Sequence, residues 1–355
     1  MNRQRHGMDE TVVISAGLCT PLGLTAPSTL REMAAGTVRF FETDVLDSAG
    51  EPVRASVLTL LDGNQSRTER MVSLAVTALQ EALSPVSGAG LESVPLLLAL
   101  PEPDTGASFE LEVLREELIT AAAPVRLEVS ANSLRREGRA GFFAALVEAS
   151  RLLKARKALH VLVGGVDSMC DRVSLAHQAR MGRSLGPGTR DGTLPGEGAG
   201  FFLLTTVEAS RQRRWVAQGR VVGCSLAREP HSFLQREPNR AEGLTDAFRQ
   251  LRCDPVAGVR RVDHILSCQT GETFWAQEFN SAYLRNASLM PEPLTLTQVA
   301  ESLGDAGAAA GAIQFGCALH LLDGFETASG EVGRVLVYGC SDTGHVGACV
   351  VEGAS

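Results

Sequence analysis

The feature that most constrains the fold is a repeated succession of apolar segments. In the first half AGFFAALVEASRLL, HVLVGGVDS and GAGFFLLTTV follow one another. In the second half GAAAGAIQFGCALHLL, RVLVYGCSD and GACVVEG follow in the same order and at similar spacing. Each set predicts a buried helix followed by two strands. Because an internal duplication implies that one structural unit occurs twice, the sequence predicts a single fold built from two similar halves.

Strand-like and helix-like segments alternate along both halves. Segments such as ETVVISAGLC, VPLLLALPEP and RVVGCSLA have the composition of buried strands, and segments with helical periodicity lie between them. This alternation is typical of an α/β fold in which helices cover a largely parallel sheet. We expect a flexible tail over residues 1–10, an N-terminal half over 11–210 and a C-terminal half over 211–355, with the junction in the polar segment 207–218.

Two of the predicted helices have almost no polar face at their start. They span residues 140–157 and 304–322, and the second begins with the small residues of GDAGAAAGA. A helix that is apolar or small-sided on every face is buried on all sides. The sequence therefore predicts a central pair of buried helices, one from each half.

Composition and charge argue against several functional classes. The chain has 355 residues, a formal net charge of -8 and eight cysteines that are scattered singly. The acidic excess argues against nucleic-acid binding, and the RQRR group at 211–214 is interpreted as a solvated helix end. No apolar run reaches the roughly 20 residues that span a bilayer. Without CxxC pairs we expect no metal site, no disulfide framework and no cofactor, and the cysteines suggest a reducing, cytoplasmic location.

The quoted segments resemble the β-ketoacyl synthases of the thiolase superfamily. TVVISAGLCTPLGL is similar to their opening strand and turn, and HVLVGGVDS is similar to their Gly-Gly strand. RDGTLPGEGAGFFLL is similar to their Gly-Glu-Gly-Ala-Gly strand, and SLGDAGAAAGA to their Leu-Gly-Ala-Ala-Gly helix start. The matches cover nearly the whole chain in order. The resemblance implies a thiolase-like, five-layered α/β/α/β/α fold built from two similar halves.

The family's catalytic positions carry other residues in this chain. Active members have a nucleophilic Cys at the start of the first buried helix, where the helix N-terminus activates the thiol. The matching residue here is Arg139, whose guanidinium cannot form a thioester. Cys268 replaces the first catalytic His and Glu301 the second, Leu296 replaces the usual Lys, and Thr270 is kept as a weak candidate for ligand binding. The resemblance thus implies a degenerate enzyme that does not condense acyl groups, with residual acyl transfer left open.

Arg139 needs a counter-charge because a buried, unpaired guanidinium is costly. In active members the two positions face each other, so we expect an ion pair between Arg139 and Glu301. Cys268 follows an apolar strand and is interpreted as an inert core residue rather than a displaced nucleophile. Asp305 is interpreted as an acidic residue that the helix dipole favours.

A narrower resemblance suggests the main functional hypothesis. GLTAP with DSAGEPVRAS, LGDAGAAAGA and VYGCSDTGHVGACVV resemble the divergent thiolase-like accessory proteins of bacterial type VI secretion clusters. This implies a non-catalytic adaptor or chaperone that binds a secreted effector, or the effector's adaptor, for loading. The alternative is an inactive partner subunit of a ketosynthase heterodimer, similar to a chain-length factor, or a divergent acyltransferase.

Both hypotheses require a protein partner. The family resemblance implies a homodimer, or a heterodimer with a related thiolase-fold chain, that forms through the strand-like segment RLEVSAN at 126–132. An apolar tunnel that reaches Arg139 and admits a phosphopantetheine arm would favour an acyl-processing role. A protein that acts only through binding does not need such a tunnel.

Overall fold

The structure is a computed structural model that describes residues 10–91, 93–254, 258–323 and 332–354. The strands in these ranges are β1 (Thr11–Cys19), β2 (Phe41–Leu46), β3 (Pro52–Ala55), β4 (Ser93–Ala99), β5 (Arg126–Glu128), β6 (Leu134–Arg135), β7 (His160–Ser168), β8 (Glu197–Thr206), β9 (Gly219–Arg228), β10 (His264–Ser267), β11 (Leu296–Gln298), β12 (Arg334–Cys340) and β13 (His345–Gly353). The helices are α1 (Ala26–Ala34), α2 (Arg67–Leu83), α3 (Leu111–Ala121), α4 (Gly141–Lys154), α5 (Arg172–Arg180), α6 (Val207–Arg213), α7 (Glu242–Cys253), α8 (Thr273–Arg285), α9 (Ala300–Leu303) and α10 (Ala310–Leu322).

The main sheet has the same strand order on both sides of its centre. From the centre outwards, the N-terminal half contributes β1, β8, β7, β4 and β5, and the C-terminal half contributes β9, β13, β12, β10 and β11. The halves join where residues Thr11–Val13 of β1 pair with Gly219–Val221 of β9. Strands β2 and β3 form a separate hairpin. Because matching segments of the two halves occupy equivalent positions in the sheet, this strand order explains the repeated sequence pattern.

The core is divided among layers. In β8, Phe202 and Leu204 pack in the central cluster with α4 and α10, whereas Phe201 and Leu203 face the cluster with α2 and α3. Strand β12 likewise separates the central cluster from the one that contains α7 and α8. Alternate residues of a strand point to opposite faces, so these strands are buried on both sides. The resulting arrangement of helices, sheet, helices, sheet and helices confirms the predicted five-layered α/β/α/β/α fold.

The two predicted central helices are buried, but they start later than the sequence predicts. Helix α4 runs from Gly141 and α10 from Ala310, and a short 3-10 turn precedes each. The chain cannot be helical from Gly304, because that residue has a φ of +67° and ends α9. A Cβ at this position would lie 2.3 Å from the carbonyl oxygen of Leu194. Only glycine fits this conformation and this close approach.

The predicted division between residues 210 and 211 falls inside α6 and stays a prediction. Of the predicted tail, residues 1–9 lie outside the described residues. Strand β5 lies at the N-terminal edge of the main sheet, next to β4. None of the helices in the described part of the chain is long and apolar enough to cross a membrane.

Candidate functional site

Arg139 lies in the 3-10 turn Gly138–Ala140 that leads into the buried helix α4. The turn depends on Gly138, which has a φ of +50° and leaves no room for a side chain, since a Cβ would lie 2.7 Å from the Glu102 carboxylate. The C-terminal half has a matching turn at Gly307–Ala309, where Gly307 has a φ of +51°. The guanidinium is thus held where the two halves meet, at the N-terminal ends of both central helices.

The guanidinium of Arg139 is buried, and each of its three nitrogens donates a hydrogen bond. One Nη donates to Asp305 Oδ2 at 2.7 Å, and the other donates to Asp342 Oδ1 at 2.6 Å. Nε donates to the backbone carbonyl of Cys340 at 2.9 Å. The guanidinium carbon also lies 4.6 Å from the centre of the Trp275 ring, within cation–π distance. These contacts compensate for the solvation that the charge loses on burial.

The predicted ion pair between Arg139 and Glu301 is wrong. Glu301 is exposed on α9, whereas Arg139 is only 5% exposed and pairs with Asp305 and Asp342. The left-handed residue Gly304 turns the chain between α9 and the second 3-10 turn. That turn directs Asp305 rather than Glu301 towards the guanidinium. The sequence had located the cation correctly but assigned it the wrong anion.

A second, partly buried arginine extends the charge cluster. Arg183 donates to Asp342 Oδ2 at 2.5 Å, so Asp342 bridges the two guanidinium groups. Nε and one Nη of Arg183 donate to the two oxygens of Glu272, at 2.8 and 2.9 Å. The ring of Phe233 covers this guanidinium at 4.4 Å. We call Arg139, Arg183, Glu272, Asp305 and Asp342 the central charge cluster.

The environment shifts the pKa values of the cluster in different directions. Burial favours neutral Arg139, but the carboxylates of Asp305 and Asp342 outweigh this effect and raise the pKa of Arg139 well above its ordinary value. Burial acts against the charged form of Asp342, yet Arg139 and Arg183 together lower its pKa. For Asp305 burial outweighs the attraction of Arg139, and its pKa is raised. Of these two aspartates, Asp342 is therefore the one whose charged form the cluster favours.

Cys268 and Thr270 lie beside this cluster. Cys268 is buried, and its Sγ accepts a hydrogen bond from the backbone N–H of Cys340 at 3.2 Å. The hydroxyl of Thr270 donates to Glu272 at 3.1 Å, and the Trp275 indole donates to the same oxygen at 2.9 Å. The Thr270 hydroxyl thus orients a carboxylate of the cluster, and its expected role in ligand binding stays a prediction.

The cavity next to Arg139 is small and polar. Its volume is about 20 Å³, and its lining includes Glu102, Asp167, Gln178 and Arg183. Drug-sized ligands occupy pockets of roughly 300–1,000 Å³ that are mostly apolar. The space beside the guanidinium therefore has the size for a water molecule and not for a phosphopantetheine arm. Among the described side chains, no group of three or more His, Cys, Asp or Glu residues could hold a metal ion.

Sequence reasoning missed Asp342, although the duplication contains the signal. HVLVGGVDS and RVLVYGCSD are matching strands, and each carries an aspartate close to its end. Asp167, at the end of β7, accepts from the backbone N–H of Ala308 in the turn of the other half, at 2.9 Å. Asp342, just after β12, correspondingly binds Arg139 in the turn of the first half. In each half, an aspartate at the end of a strand therefore binds the 3-10 turn of the other half.

The Gly-Glu-Gly-Ala-Gly element has a structural role nearby. Glu197 begins β8, is fully buried and accepts from Arg70 through both carboxylate oxygens, at 2.6 and 2.8 Å. It also accepts from the Ser168 hydroxyl and from the backbone N–H of Leu58. The motif thus secures α2, β7 and the segment before α2 to the central sheet.

The fold is that of solved ketosynthases. The ketosynthase from module 6 of the bacillaene synthase from Bacillus subtilis 168 aligns with a TM-score of 0.76 at 12% identity, over 98% of this chain and 72% of that one. The ishigamide ketosynthase/chain length factor aligns with a TM-score of 0.74 at 17% identity, over 98% and 99% of the two chains. A type II polyketide ketosynthase solved in complex with its acyl-carrier protein, AntDE:AntF, aligns at 0.74 with 14% identity and the same coverage.

At these identities the likeness establishes the fold: the chain has the thiolase-like architecture of the ketosynthases. No protein-family model and no curated protein matches its sequence. The fold that the resemblance implied is therefore confirmed.

Proposed function

We propose that this chain is a non-condensing protein with a ketosynthase-like fold, and that it acts by pairing with a second chain of the same fold. The observation that carries the proposal is the pairing of the buried Arg139 guanidinium with Asp305 and Asp342. This residue stands where the resemblance puts the nucleophile. A permanently charged guanidinium is not a nucleophile and cannot form a thioester, and Asp305, Asp342 and the carbonyl of Cys340 already accept hydrogen bonds from three of its five N–H groups.

The surroundings of Arg139 support the same conclusion. The adjoining cavity of about 20 Å³ is too small for an acyl chain, and about half of the residues that line it are charged. Cys268, which lies beside the cluster, is buried and has no basic side chain among its hydrogen-bond partners in the described residues. A catalytic thiol needs an activating base or a helix N-terminus.

Pairing with a related chain is supported by the sheet edge and by two structural neighbours. The edge strand β5 is short and, within the described residues, pairs with β4 on one side, so a strand of a partner could pair with its other side. One neighbour is a ketosynthase/chain length factor, and another is a ketosynthase in complex with an acyl-carrier protein. An inactive partner subunit similar to a chain-length factor is therefore the role we favour.

The accessory role in secretion that the narrower resemblance implies stays a prediction. It shares with the favoured role the need for a protein partner and the lack of acyl transfer. The two differ in the partner, which is a ketosynthase-fold chain in one case and a secreted effector or its adaptor in the other.

Co-purification of the full chain from its native host would test the proposal. We expect native mass spectrometry to show a complex with a ketosynthase-fold chain or a homodimer. Capture of a secreted effector without such a chain would instead support the secretion role. A protein that stays monomeric and captures neither would contradict both.

The edge strand can be tested with a matched pair of variants. Arg126→Pro places a residue without an N–H on β5, and Thr297→Pro does the same on β11 at the opposite edge of the sheet. We expect dimer formation to fall in Arg126→Pro and to persist in Thr297→Pro, with thermal unfolding used to confirm that both variants fold. Equal behaviour would show that β5 is not the pairing edge.

The absence of condensation is tested separately, by intact-mass measurement after incubation with acyl-thioesters of short and long chains. We expect no covalent adduct on any side chain. An adduct that forms and turns over would overturn the non-condensing part of the proposal.

A further inference from the structure

Exposed basic side chains lie at the C-terminal ends of α4 and α6. Lys154 and Lys157 are exposed at this end, and Arg211 and Arg214 are exposed at the end of α6. The two ends are neighbours in space, since Arg156 pairs with Glu208 of α6 at 3.4 Å. We call Lys154, Lys157, Arg211 and Arg214 the basic patch. The basic patch is a positively charged region on a chain whose net charge is -8.

Apolar side chains are exposed beside these cations. Leu159 is 66% exposed and Val216 is 85% exposed, among the highest values for large apolar residues in the described ranges. The ring of Trp215, next to Val216, lies 5.0 Å from the ring of His160, which follows Leu159. The guanidinium of Arg213 covers the Trp215 ring at 5.1 Å. The segments that carry Leu159 and Val216 therefore contact each other, and each segment also carries exposed cations of the basic patch.

The fold does not require this combination. Cations at the end of α4 are favoured by the helix dipole, which accounts for Lys154 and Lys157. The dipole does not account for two aliphatic side chains that stay in water beside them. The surface is also separate from the central charge cluster, because α4 has 14 residues and its ends are about 20 Å apart.

We propose that this surface binds an acidic segment of a partner protein that carries aliphatic side chains. Carboxylates of the segment would pair with the basic patch, and an aliphatic side chain would cover Leu159 and Val216. A phosphate backbone offers nothing apolar to these two residues, whereas an acidic segment with aliphatic side chains matches both the cations and the apolar residues. The inference is independent of the proposed pairing through β5.

The test uses the full chain and a fluorescein-labelled helical peptide of about 16 residues, or four turns, with Leu on one face and Glu elsewhere. Fluorescence anisotropy measures its binding, and a second peptide with Ser in place of each Leu measures the apolar contribution. We expect saturable binding that weakens as salt is added and weakens several-fold when Leu is replaced by Ser.

Variants locate the binding on the surface. We expect Arg211→Glu with Arg214→Glu to weaken binding about tenfold or more, and Val216→Ser to weaken it several-fold. The control, Arg236→Glu with Arg240→Glu, changes the net charge equally on an exposed loop elsewhere and should leave binding unchanged. Equal loss in both double variants, or no binding to the wild type, would overturn the proposal. So would tighter binding to phosphatidylserine vesicles or to duplex DNA than to the peptide.

Discussion

The guanidinium of Arg139 and the carboxylate of Asp305 lie 2.7 Å apart, although 166 positions separate them in the chain. Each residue belongs to the segment that leads into one of the two central helices, and each helix comes from a different half. In the position where the resemblance places a reactive thiol, this protein has an ion pair between its halves. The pair gives the region a structural role that can be measured.

Replacing Arg139 with Met should cost about 3–5 kcal/mol of the free energy of unfolding, because Asp305 and Asp342 would stay buried with less compensation. Denaturation in urea measures this cost. The matched control is Arg115→Met, which removes an exposed pair with Glu112 and should cost less than about 1 kcal/mol. Similar costs for the two variants would show that the buried pair does not stabilise the fold.

Glu197→Gln should destabilise the protein by about 3 kcal/mol, because the side chain keeps its shape but leaves the charge of Arg70 unpaired at a fully buried site. Glu112→Gln makes the same chemical change at an exposed arginine pair and serves as the control. Thermal and urea unfolding would report the difference. A small effect at Glu197 would mean that hydrogen bonds, rather than charge, hold the Gly-Glu-Gly-Ala-Gly strand.

Gly307→Ala should be far more disruptive than Gly36→Ala, although both glycines have positive φ, at +51° and +71°. A Cβ at Gly307 would lie 2.1 Å from the Asp167 carboxylate, whereas a Cβ at Gly36 meets nothing within 4 Å. The backbone conformation alone costs roughly 1–2 kcal/mol at each site. We expect Gly307→Ala to lose more stability than Gly36→Ala, because the Cβ clashes with Asp167 in the second 3-10 turn. Equal losses in the two variants would contradict this account.

His160 should make stability depend on pH. Burial, and secondarily Arg213, lower its pKa to about 4. Its Nδ1 donates to Thr205, because the Thr205 hydroxyl itself donates to the carbonyl of Leu159, and its Nε2 has no hydrogen-bond partner. An unfolded histidine has a pKa of about 6.5. The unfolded state therefore binds the proton more readily between these values, and stability is lost as the pH falls from about 6.5 towards 4.

Unfolding measured from about pH 7 to pH 4.5 should thus show a decline of up to about 1.4 kcal/mol per pH unit in the wild type that is weaker in His160→Gln. His320→Gln, at an exposed position, should keep the wild-type decline. The histidine assignment is wrong if His160→Gln retains the full slope.

Thiol labelling should separate the cysteines by exposure. Cys253 is exposed, whereas Cys268 and Cys340 are buried, and burial raises the pKa of Cys340 well above its ordinary value. We expect iodoacetamide to modify Cys253 rapidly and Cys268 only on unfolding, as peptide mass mapping would show. Rapid labelling of Cys268 in the native protein would reopen the possibility of a displaced nucleophile.

The fold could be predicted because buried strands and helices have characteristic patterns of apolar residues in the sequence. Alternating apolar residues in β8 mark a strand with two buried faces, and the small residues before α10 mark a helix without a polar face. Matching segments in the two halves then fixed the architecture. These signals are local or repetitive, so they need no knowledge of how the halves pack.

The charge cluster was only partly predictable. The turn before α4 indicated where Arg139 lies, but its anions depend on how the two halves pack, and Asp342 is 203 positions away. The resemblance predicts Glu301 as the partner of Arg139, but it cannot anticipate the turn that Gly304 makes before Asp305. The sequence can therefore locate a charged residue at the junction of the two halves, but its ion-pair partner is determined by how the halves pack.

The main sheet joins the two halves near the C-terminal end of α4. The paired residues Thr11–Val13 and Gly219–Val221 lie near the end of α4, where Thr11 contacts Ser150, while Arg139 joins the halves at its start. The two halves are therefore joined at both ends of α4, by strand pairing at its C-terminal end and, at its start, by the Arg139–Asp305 ion pair and backbone hydrogen bonds of Asp305 with Leu194 and Gly196. Such double fastening opposes any rotation of one half against the other, so the molecule presents its outer surfaces to a partner as one rigid body.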